Sequence, residues 1–448
     1  MTLITTLSLC FYLAVLAMTQ TAYGDPFMNA RWLALALLMV ASGITWCSRN
    51  VSRRTASPGG NSDMIFIVYL CITILGVFSA ENVIYSGLKW ISYVTMVSVF
   101  LVFLREGFSL KQVKWTFLVV KGLIVSLLLV SWLHPMSGVK SENAELFRGA
   151  FGSPNAFGQI AAVGSLLFLH DFLTDERTSR RWTALGLGCV SAWFTWSSGA
   201  RSAMVAFLCG ITLMSYFYPG KIKGKAFWMI ILLITIALCF PQLPQQAKQF
   251  VLRSKSSSGG FTAHLFVSRT SVWSAAWQGF QKRPLFGWGF GADDTITRDW
   301  EVKFTSMGTV NRDSINDTLI VLESTGIVGL IGYCLLILLA IKQLPGPWER
   351  KLLRTASRPP PGSKSRDISF YHVHVICFIV SMSLLIMVQF DNTALSGGNL
   401  ISALVWLTVA LAGSIRIRTA RYEDSGRRRQ VARARSLVPA AGGLDCRR

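Results

Sequence analysis

Long apolar segments recur along this chain and limit its possible folds more than any other feature. A helix needs roughly 20 apolar residues to cross the hydrocarbon core of a bilayer. Twelve segments approach that length, at residues 2–20, 31–47, 63–80, 87–104, 115–134, 155–171, 182–197, 200–218, 226–241, 316–341, 370–389 and 398–415. Because lipid offers the backbone no hydrogen-bond partners, such segments must be helical. The sequence therefore predicts an all-α, polytopic integral membrane protein with about 12 transmembrane helices.

The charged residues agree with this class and predict the orientation of the helices. The chain is 52% hydrophobic and 15% charged, which excludes an ordinary soluble domain, and its formal net charge is +22 at pH 7. The basic residues are spread in small groups over alternate connections, including those around Arg53, Lys111, Arg180 and Lys223. This spread argues against a nucleic-acid partner, and the positive-inside rule places these connections and both termini in the cytoplasm.

The predicted orientation divides the chain into four parts. Residues 1–241 hold transmembrane helices 1–9, and residues 242–315 form a large external or periplasmic loop with an interfacial helix. Residues 316–416 hold helices 10–12, and residues 417–448 form a basic cytoplasmic tail. The large loop is the only long polar interval between apolar segments, so we expect it to present chemistry to water.

The segment 268–291 within this loop predicts a short helix in the membrane interface. Its apolar residues fall on one helical face: Val272, Trp273, Ala276, Trp277 and Phe280. Pro284 ends the helix. Arg269 lies four residues before Trp273, so its guanidinium is expected on the tryptophan face at headgroup depth. Gly287 and Gly289 follow, in a sequence that weakly resembles a glycine-rich phosphate-binding loop. The alternative is an interfacial helix and tight turn, with Arg269 extending to lipid headgroups.

Two further arginines lie on the predicted external side, where basic residues are otherwise depleted. Arg201 follows a tight Ser-Ser-Gly-Ala hairpin and begins the next apolar segment. An arginine costs about 2.5 to 3.5 kcal/mol at the bilayer centre and less near the surface, so an anionic ligand would compensate it. Arg148 begins the sequence RGAFGSPN, and Asn155 is the first polar group of the sixth segment. The alternatives are contact with lipid phosphate for the arginines and a helix cap for the segment around Asn155.

The tenth apolar segment carries a carboxyl group within its predicted membrane span. Asn316, Glu323 and Gly326 fall on one helical face, which turns the Glu323 carboxyl toward neighbouring helices. An intramembrane carboxyl is a functional candidate by default, although it can also pair with one of the arginines. The histidines show no metal-ligand spacing and the cysteines no disulfide framework, so neither a metal nor a cofactor is predicted.

Four stretches together resemble the O-antigen ligase and polymerase superfamily of bacterial membrane glycosyltransferases. They are RGAFGSPN at 148–155, SGARS at 198–202, the arginine, tryptophan and proline-glycine pattern of 268–289, and the start of the tenth segment at 316–326. The order and spacing agree over roughly residues 145–335. The resemblance implies a GT-C-like enzyme at the outer face of the cytoplasmic (inner) membrane, with a glycan linked to undecaprenyl diphosphate as donor and with no required metal.

The resemblance also implies roles for individual residues. Arg201 and Arg269 match family arginines that bind the donor diphosphate, and guanidinium groups are suited to that role because they pair bidentately with phosphate. The remaining candidates line the substrate site: Arg148, Asn155, Asn316, Trp273, Gly287 and Gly289. Membrane lipid and other polysaccharide-export proteins are the candidate partners besides the lipid-linked oligosaccharide.

One departure from the family pattern concerns the general base. Ligases usually have a histidine immediately before the residue that matches Asn316, and this chain has Ile315 there. Asp313, Asp317 and Glu323 are the nearby substitutes, and the sequence does not choose among them. The missing histidine favours a polymerase of exopolysaccharide or O-antigen repeat units over a ligase that transfers glycan to lipid A core. A flippase of the lipid-linked unit is the alternative from another class.

Overall fold

The structure is a computed structural model that describes twelve helices and one β-hairpin. The described residues are 3–21, 27, 29–52, 61–104, 108–133, 138–141, 144–151, 153–218, 273–274, 276–291, 317–343, 366–388 and 399–414. The predicted ninth segment at 226–241, most of the large loop and the tail at 417–448 lie outside them.

The helices follow the apolar segments of the sequence. In chain order they are α1 Leu3–Thr19, α2 Ala30–Ser52, α3 Asn61–Phe78, α4 Val83–Ser98, α5 Leu110–Leu133, α6 Pro154–Thr174, α7 Thr178–Ser197, α8 Arg201–Phe217, the short α9 at 276–282, α10 Asp317–Gln343, α11 Arg366–Val388 and α12 Leu400–Ser414. Five stretches are long and apolar enough to cross a membrane, in α2, in α4 with the helical residues that follow it to Leu101, and in α5, α6 and α10, and several shorter apolar helices accompany them. The structure thus agrees with a polytopic membrane protein, and the number of twelve spans stays a prediction.

The helix α4 shows why a boundary predicted from hydropathy is imprecise. The predicted segment starts at residue 87, but α4 begins at Val83 because the Asn82 side chain accepts a hydrogen bond from the Tyr85 N–H at 3.0 Å. At its other end the helix continues as a π-helical segment, Val99–Leu104. The apolar pattern therefore locates the element, while a polar cap sets its first residue.

A short β-hairpin departs from the predicted all-α class. Strand β1, Gly138–Ser141, pairs antiparallel with β2, Ala144–Phe147, with Gly138 opposite Phe147. Only two residues separate the strands, the shortest connection that commonly joins antiparallel strands. A four-residue strand in a mainly polar connection leaves no signal in a search for long apolar segments, which is why the hairpin was not predicted.

The helix α6 is at the centre of the packing. It contacts α5, α7, α8 and α11, and most of its residues are buried on all sides. Its glycines permit this closeness, because Gly164 lies against Ile124 of α5 and Gly158 lies against the turn between α7 and α8. Elsewhere in the molecule α10 packs along α3, and α1 packs along α2.

Alternate connections meet at one end of the helices, as the predicted topology requires. Thr21, after α1, forms a β-bridge with Phe151, which precedes α6. Ser79, after α3, donates a hydrogen bond to the carbonyl of Phe286 at 3.1 Å. At the opposite end the Ser414 hydroxyl, at the end of α12, donates to the carbonyl of Phe108 at 3.1 Å. Which end faces the cytoplasm stays a prediction from charge.

A buried polar cluster joins three helices at this opposite end. The Tyr218 hydroxyl lies 3.1 Å from His170 Nε2 and 3.2 Å from His372 Nδ1. Nearby, the Lys121 ammonium pairs with the Asp171 carboxylate. The contacts of Tyr218 tie the ends of α6, α8 and α11 together, and the ion pair ties α6 to α5. All of them lie far along α6 from its Asn155 end.

Candidate active site

The helix α10 is broken at Gly326. This residue has φ +67° and ψ −167°, a conformation that is essentially limited to glycine, so the helix continues on both sides of a kink. A kink within an apolar helix leaves backbone groups without their helical partners, and these groups need others. They find them in the segment that follows α9.

Two backbone N–H groups after the break bind this segment. In a continuous helix Ile327 and Val328 would donate to carbonyls four residues earlier. Instead the Ile327 N–H donates to the carbonyl of Pro284 at 2.9 Å, and the Val328 N–H donates to that of Leu285 at 3.3 Å. Each freed donor of α10 is therefore satisfied by the chain that follows α9.

The two carbonyls that lost these donors bind the same segment. Glu323 O accepts a hydrogen bond from the Trp288 N–H at 3.1 Å, and Ser324 O accepts one from the Gly289 N–H at 2.7 Å. Two helical hydrogen bonds are thus replaced by four bonds to residues 284–289, which we call the docked loop. The loop satisfies the broken helix from within the protein, as a discontinuous membrane helix requires.

Glycines make this docking possible because the two backbones nearly touch. At Gly287, φ is +66°, and a Cβ atom would lie 2.5 Å from Glu323 O and from Thr325 N. At Gly289, φ is +117°, and a Cβ atom would overlap Ala80. The Gly287 and Gly289 N–H groups both donate to protein carbonyls, those of Arg283 and Ser324. The structure therefore places these predicted substrate-binding glycines in the contact with α10, and their contact with substrate stays a prediction.

The Glu323 carboxyl group lies at the centre of this contact. Glu323 is only 2% exposed, and it sits against α9 at Gly279, whose Cβ, if present, would lie 3.1 Å from the carboxyl carbon. The Trp288 indole N–H donates to the Gly279 carbonyl at 2.9 Å. Gly279, Trp288 and Glu323 thus form a contiguous group between α9, the docked loop and α10.

The α3–α4 connection and the start of α4 hold the opposite side of the docked loop and of the two residues that follow it. The Arg283 guanidinium carbon lies 4.1 Å from the centre of the Trp288 ring, and Nη1 donates to the carbonyl of Ser79 at 3.3 Å. The Ser86 hydroxyl donates to Phe290 O at 2.7 Å, and the Lys89 ammonium donates to Gly291 O at 3.2 Å. The docked loop is therefore fixed between α4 and α10.

Arg201 begins α8 directly after a compact turn. Ser198 accepts a hydrogen bond from the Ala200 N–H through its hydroxyl at 3.2 Å, and Gly199 has φ +66°. Ala200 is fully buried, and Gly158 of α6 lies against it and against Ser198. Arg201 itself is half-buried. Close packing of small residues therefore holds the first turn of α8 against the first turns of α6.

Arg148 and Asn155 flank the turn that leads into α6. The Phe151 N–H donates to the carbonyl of Arg148 at 3.0 Å, and Gly149, with φ +55°, lies against Ser131 of α5. Ser153 caps the helix by accepting from the Asn155 N–H at 3.3 Å. Both residues are half-buried. Because Gly158 contacts the α7–α8 turn, the structure brings this segment and the Arg201 turn together.

The other predicted site residues are only partly described. Trp273 is half-buried and Asp317 begins α10, while Arg269, Asp313 and Asn316 lie outside the described residues. Arg201 and Glu323 belong to different packing groups, since α8 packs on α6 and α11 whereas α10 packs on α3. In the part of the chain that the structure describes, no three His, Cys, Asp or Glu side chains gather as a metal site.

Three basic residues at this end were missed by the sequence analysis. Arg31 at the start of α2, Lys89 in α4 and Arg283 after α9 all lie beside the predicted external connections. Arg31 stacks on Trp32 at 4.6 Å, and Lys89 lies 4.9 Å from the Tyr85 ring centre. Each is an exception to the positive-inside rule, the signal that singled out Arg148 and Arg201, and applying that signal within the apolar segments would have found Arg31 and Lys89.

The middle of the chain resembles a known family. Residues 186–334 match the family model described as O-antigen ligase. This stretch, a third of the chain, is therefore similar to the O-antigen ligase family. The matched region extends from within α7 to within α10 and includes Arg201, α9, the docked loop and Glu323. The predicted resemblance to the O-antigen ligase and polymerase superfamily is confirmed here, while Arg148 and Asn155 precede the matched O-antigen ligase region. No curated protein matches the chain.

Proposed function

We propose that this protein polymerises exopolysaccharide or O-antigen repeat units at the outer face of the bacterial cytoplasmic membrane. The growing glycan would be transferred from undecaprenyl diphosphate to the terminal sugar of a fresh lipid-linked repeat. The observation that carries the proposal is the buried carboxyl of Glu323, held by a docked loop inside the region that matches the O-antigen ligase family. Arg201 begins its helix at the same end of the molecule.

The proposed reaction breaks the bond between the anomeric carbon of the growing chain and an oxygen of its diphosphate. The electron pair stays on the diphosphate, and the acceptor hydroxyl oxygen forms the new bond to the anomeric carbon. Arg201 and Arg269 would stabilise the charge that grows on the leaving diphosphate, a contribution of about 3 kcal/mol for each well-placed donor. The protein environment around Arg201 suits this role because close packing limits the movement of its backbone.

The proton of the acceptor hydroxyl needs a base, and Glu323 is the best supported of the three candidates. Burial of its side chain beside Gly279 keeps the carboxyl away from bulk water, and α9 and the docked loop define its position. Asp317 and Asp313 remain candidates from the sequence. A buried carboxylate that accepts a proton in the transition state typically contributes 10²- to 10⁴-fold to the rate.

A ligase is the second candidate function, because the matched family is described as O-antigen ligase. Ile315, at the position where ligases usually have a histidine, favours the polymerase. The two differ in the acceptor: a polymerase extends a lipid-linked repeat, whereas a ligase transfers the finished glycan to lipid A core or another acceptor. Other polysaccharide-export proteins are the partners expected of either activity.

Deletion of the gene from its host distinguishes these functions, with lipid-linked and secreted glycans analysed by mass spectrometry. A polymerase predicts that single repeat units on undecaprenyl diphosphate accumulate while polymer is lost. Full-length polymer that persists on its lipid carrier and is missing only from its final acceptor would instead establish the ligase. A flippase predicts single units that stay on the cytoplasmic face, inaccessible to a glycosidase added outside.

A further inference from the structure

We infer that Gly279 and Trp288 are positioning residues for the Glu323 carboxyl group, so that α9 and the docked loop decide where this group lies. The inference rests on the proposed role of Glu323 as the base. Neither residue was assigned this role by its sequence pattern, since Gly279 stood out in no motif. The contacts around Glu323 carry the argument.

Trp288 connects both sides of the carboxyl group. Its backbone N–H donates to Glu323 O at 3.1 Å, and its indole N–H donates to Gly279 O at 2.9 Å. The ring is covered by the Arg283 guanidinium at 4.1 Å, which limits its rotation. One residue therefore fixes the backbone that carries the carboxyl group and the helix against which the carboxyl group rests.

Gly279 provides the space that the carboxyl group occupies. A Cβ atom there would overlap Glu323 Oε1 and would lie 3.1 Å from Cγ and from Cδ. The backbone of Gly279 is helical, so the glycine is not needed for a special φ angle. Glycine in a helix interior costs roughly 0.5 to 1 kcal/mol relative to alanine, and here the gain is a close approach to Glu323. By contrast, Gly186 of α7 faces open space.

The helix α10 cannot define the carboxyl position alone because it is interrupted three residues after Glu323. The bonds that a continuous helix would make from Glu323 O to Ile327 and from Ser324 O to Val328 are replaced by bonds to the docked loop. The direction of the first turns of α10 therefore depends on the loop. A displacement of the loop would move Glu323 relative to the second half of its own helix.

The first test uses purified enzyme in lipid nanodiscs, with repeat units linked to undecaprenyl diphosphate extracted from the deletion host. Gly279→Ala is expected to lower kcat at least tenfold with little change in KM, because the three atoms nearest to the new methyl group all belong to the Glu323 side chain and the carboxyl group is displaced. Aspartate is one methylene shorter than glutamate and leaves room for the new methyl group. The double variant Gly279→Ala with Glu323→Asp is therefore expected to have a higher kcat than Gly279→Ala alone. Gly186→Ala is the matched control and should behave as wild type. The inference would be overturned by an unchanged kcat in Gly279→Ala, or by a double variant whose kcat does not exceed that of Gly279→Ala.

A second measurement does not depend on the reaction. The rate at which a hydrophobic carbodiimide labels Glu323 is measured by mass spectrometry in wild type, Gly279→Ala, Trp288→Phe and Gly186→Ala. Displacement of the carboxyl group should change the rate at least threefold in the first two variants and leave it unchanged in the control. Equal rates in all four proteins would overturn the inference whatever the enzyme makes. If the labelling rates change in the variants but the wild-type protein forms no polymer, only the proposed function is rejected.

Discussion

Glu323 and Ile327, which a continuous α-helix would join by one hydrogen bond, each bind the docked loop instead. The Glu323 carbonyl accepts from Trp288 at 3.1 Å, and the Ile327 N–H donates to Pro284 at 2.9 Å. An unsatisfied backbone group in an apolar environment costs several kcal/mol, so the break in α10 and the docking of the loop depend on each other.

Replacement of Gly326 tests this dependence. Gly326→Ala places a side chain at φ +67° and ψ −167°, and its Cβ atom would overlap the carbonyl of Leu285. We expect a loss of about 1 to 3 kcal/mol from the backbone conformation alone, and a lower Tm in detergent with little or no activity. Gly122 of α5 faces open space, so Gly122→Ala is the control and should keep the wild-type Tm and activity. An unchanged Tm would show that the loop is not docked at this break.

Arg201 can be tested with its closest chemical substitute. Arg201→Lys keeps a positive charge but removes the planar fork that pairs with a diphosphate, so polymer formation in the complemented deletion strain should fall about 100-fold. Arg269→Lys should have a similar effect. Arg180 is exposed at the start of α7, at the end of that helix far from Arg201, so Arg180→Lys is the control for charge and expression. Full activity in both Arg201→Lys and Arg269→Lys would refute the diphosphate role.

The contact between α6 and the α7–α8 turn predicts an indirect effect on Arg201. In Gly158→Ala the new methyl group would lie 2.6 Å from the Ala200 Cβ and would overlap the Ser198 hydroxyl. Overpacking of this kind typically costs about 1 to 3 kcal/mol, and it pushes the first turn of α8 away from α6. Both Tm and polymer yield should therefore fall. A Gly158→Ala protein with wild-type yield would show that the position of this turn is not critical.

The cluster at the opposite end of the helices should affect stability alone. Tyr218→Phe removes the hydroxyl that lies between His170 and His372, and buried polar groups left without this partner cost about 1 to 3 kcal/mol. We expect a lower Tm in detergent, with glycan products of normal length at a permissive temperature. Products of altered length at that temperature would instead show that the cluster influences the reaction.

Labelling of engineered cysteines checks the orientation of the molecule. A membrane-impermeant maleimide added to intact cells, after permeabilisation of any outer membrane, should label a cysteine at Asp293 in the large loop. A cysteine at Arg354 should react only after the inner membrane is opened. Every variant needs the same background, in which the nine native cysteines are replaced. The reverse pattern would overturn the topology and the proposed side of the reaction.

The sequence predicted the helices that the structure describes, because burial in lipid leaves a signal in every residue of a segment. The turn that holds Arg201 was found for a related reason, since an arginine on the side where basic residues are depleted is conspicuous. The β-hairpin at 138–147 was missed because short polar strands carry no such signal. The role of the glycines in the docked loop was also hidden, because their contacts in α10 and in the α3–α4 connection are distant in sequence; Gly289, for example, lies against Ala80.

The contact between Lys89 and Gly291 has a consequence for the part of the large loop that follows Gly291. Gly291 is held by Lys89, and Asp317 begins α10 six residues before Glu323, so both ends of the intervening segment are attached at defined points. Doubling the length of a flexible loop costs only about 0.6 kcal/mol. Residues 292–312, which precede the candidates Asp313 and Asn316, can therefore be exchanged as a cassette between related proteins, which would allow the choice of sugar to diverge while the surroundings of the carboxyl group stay the same.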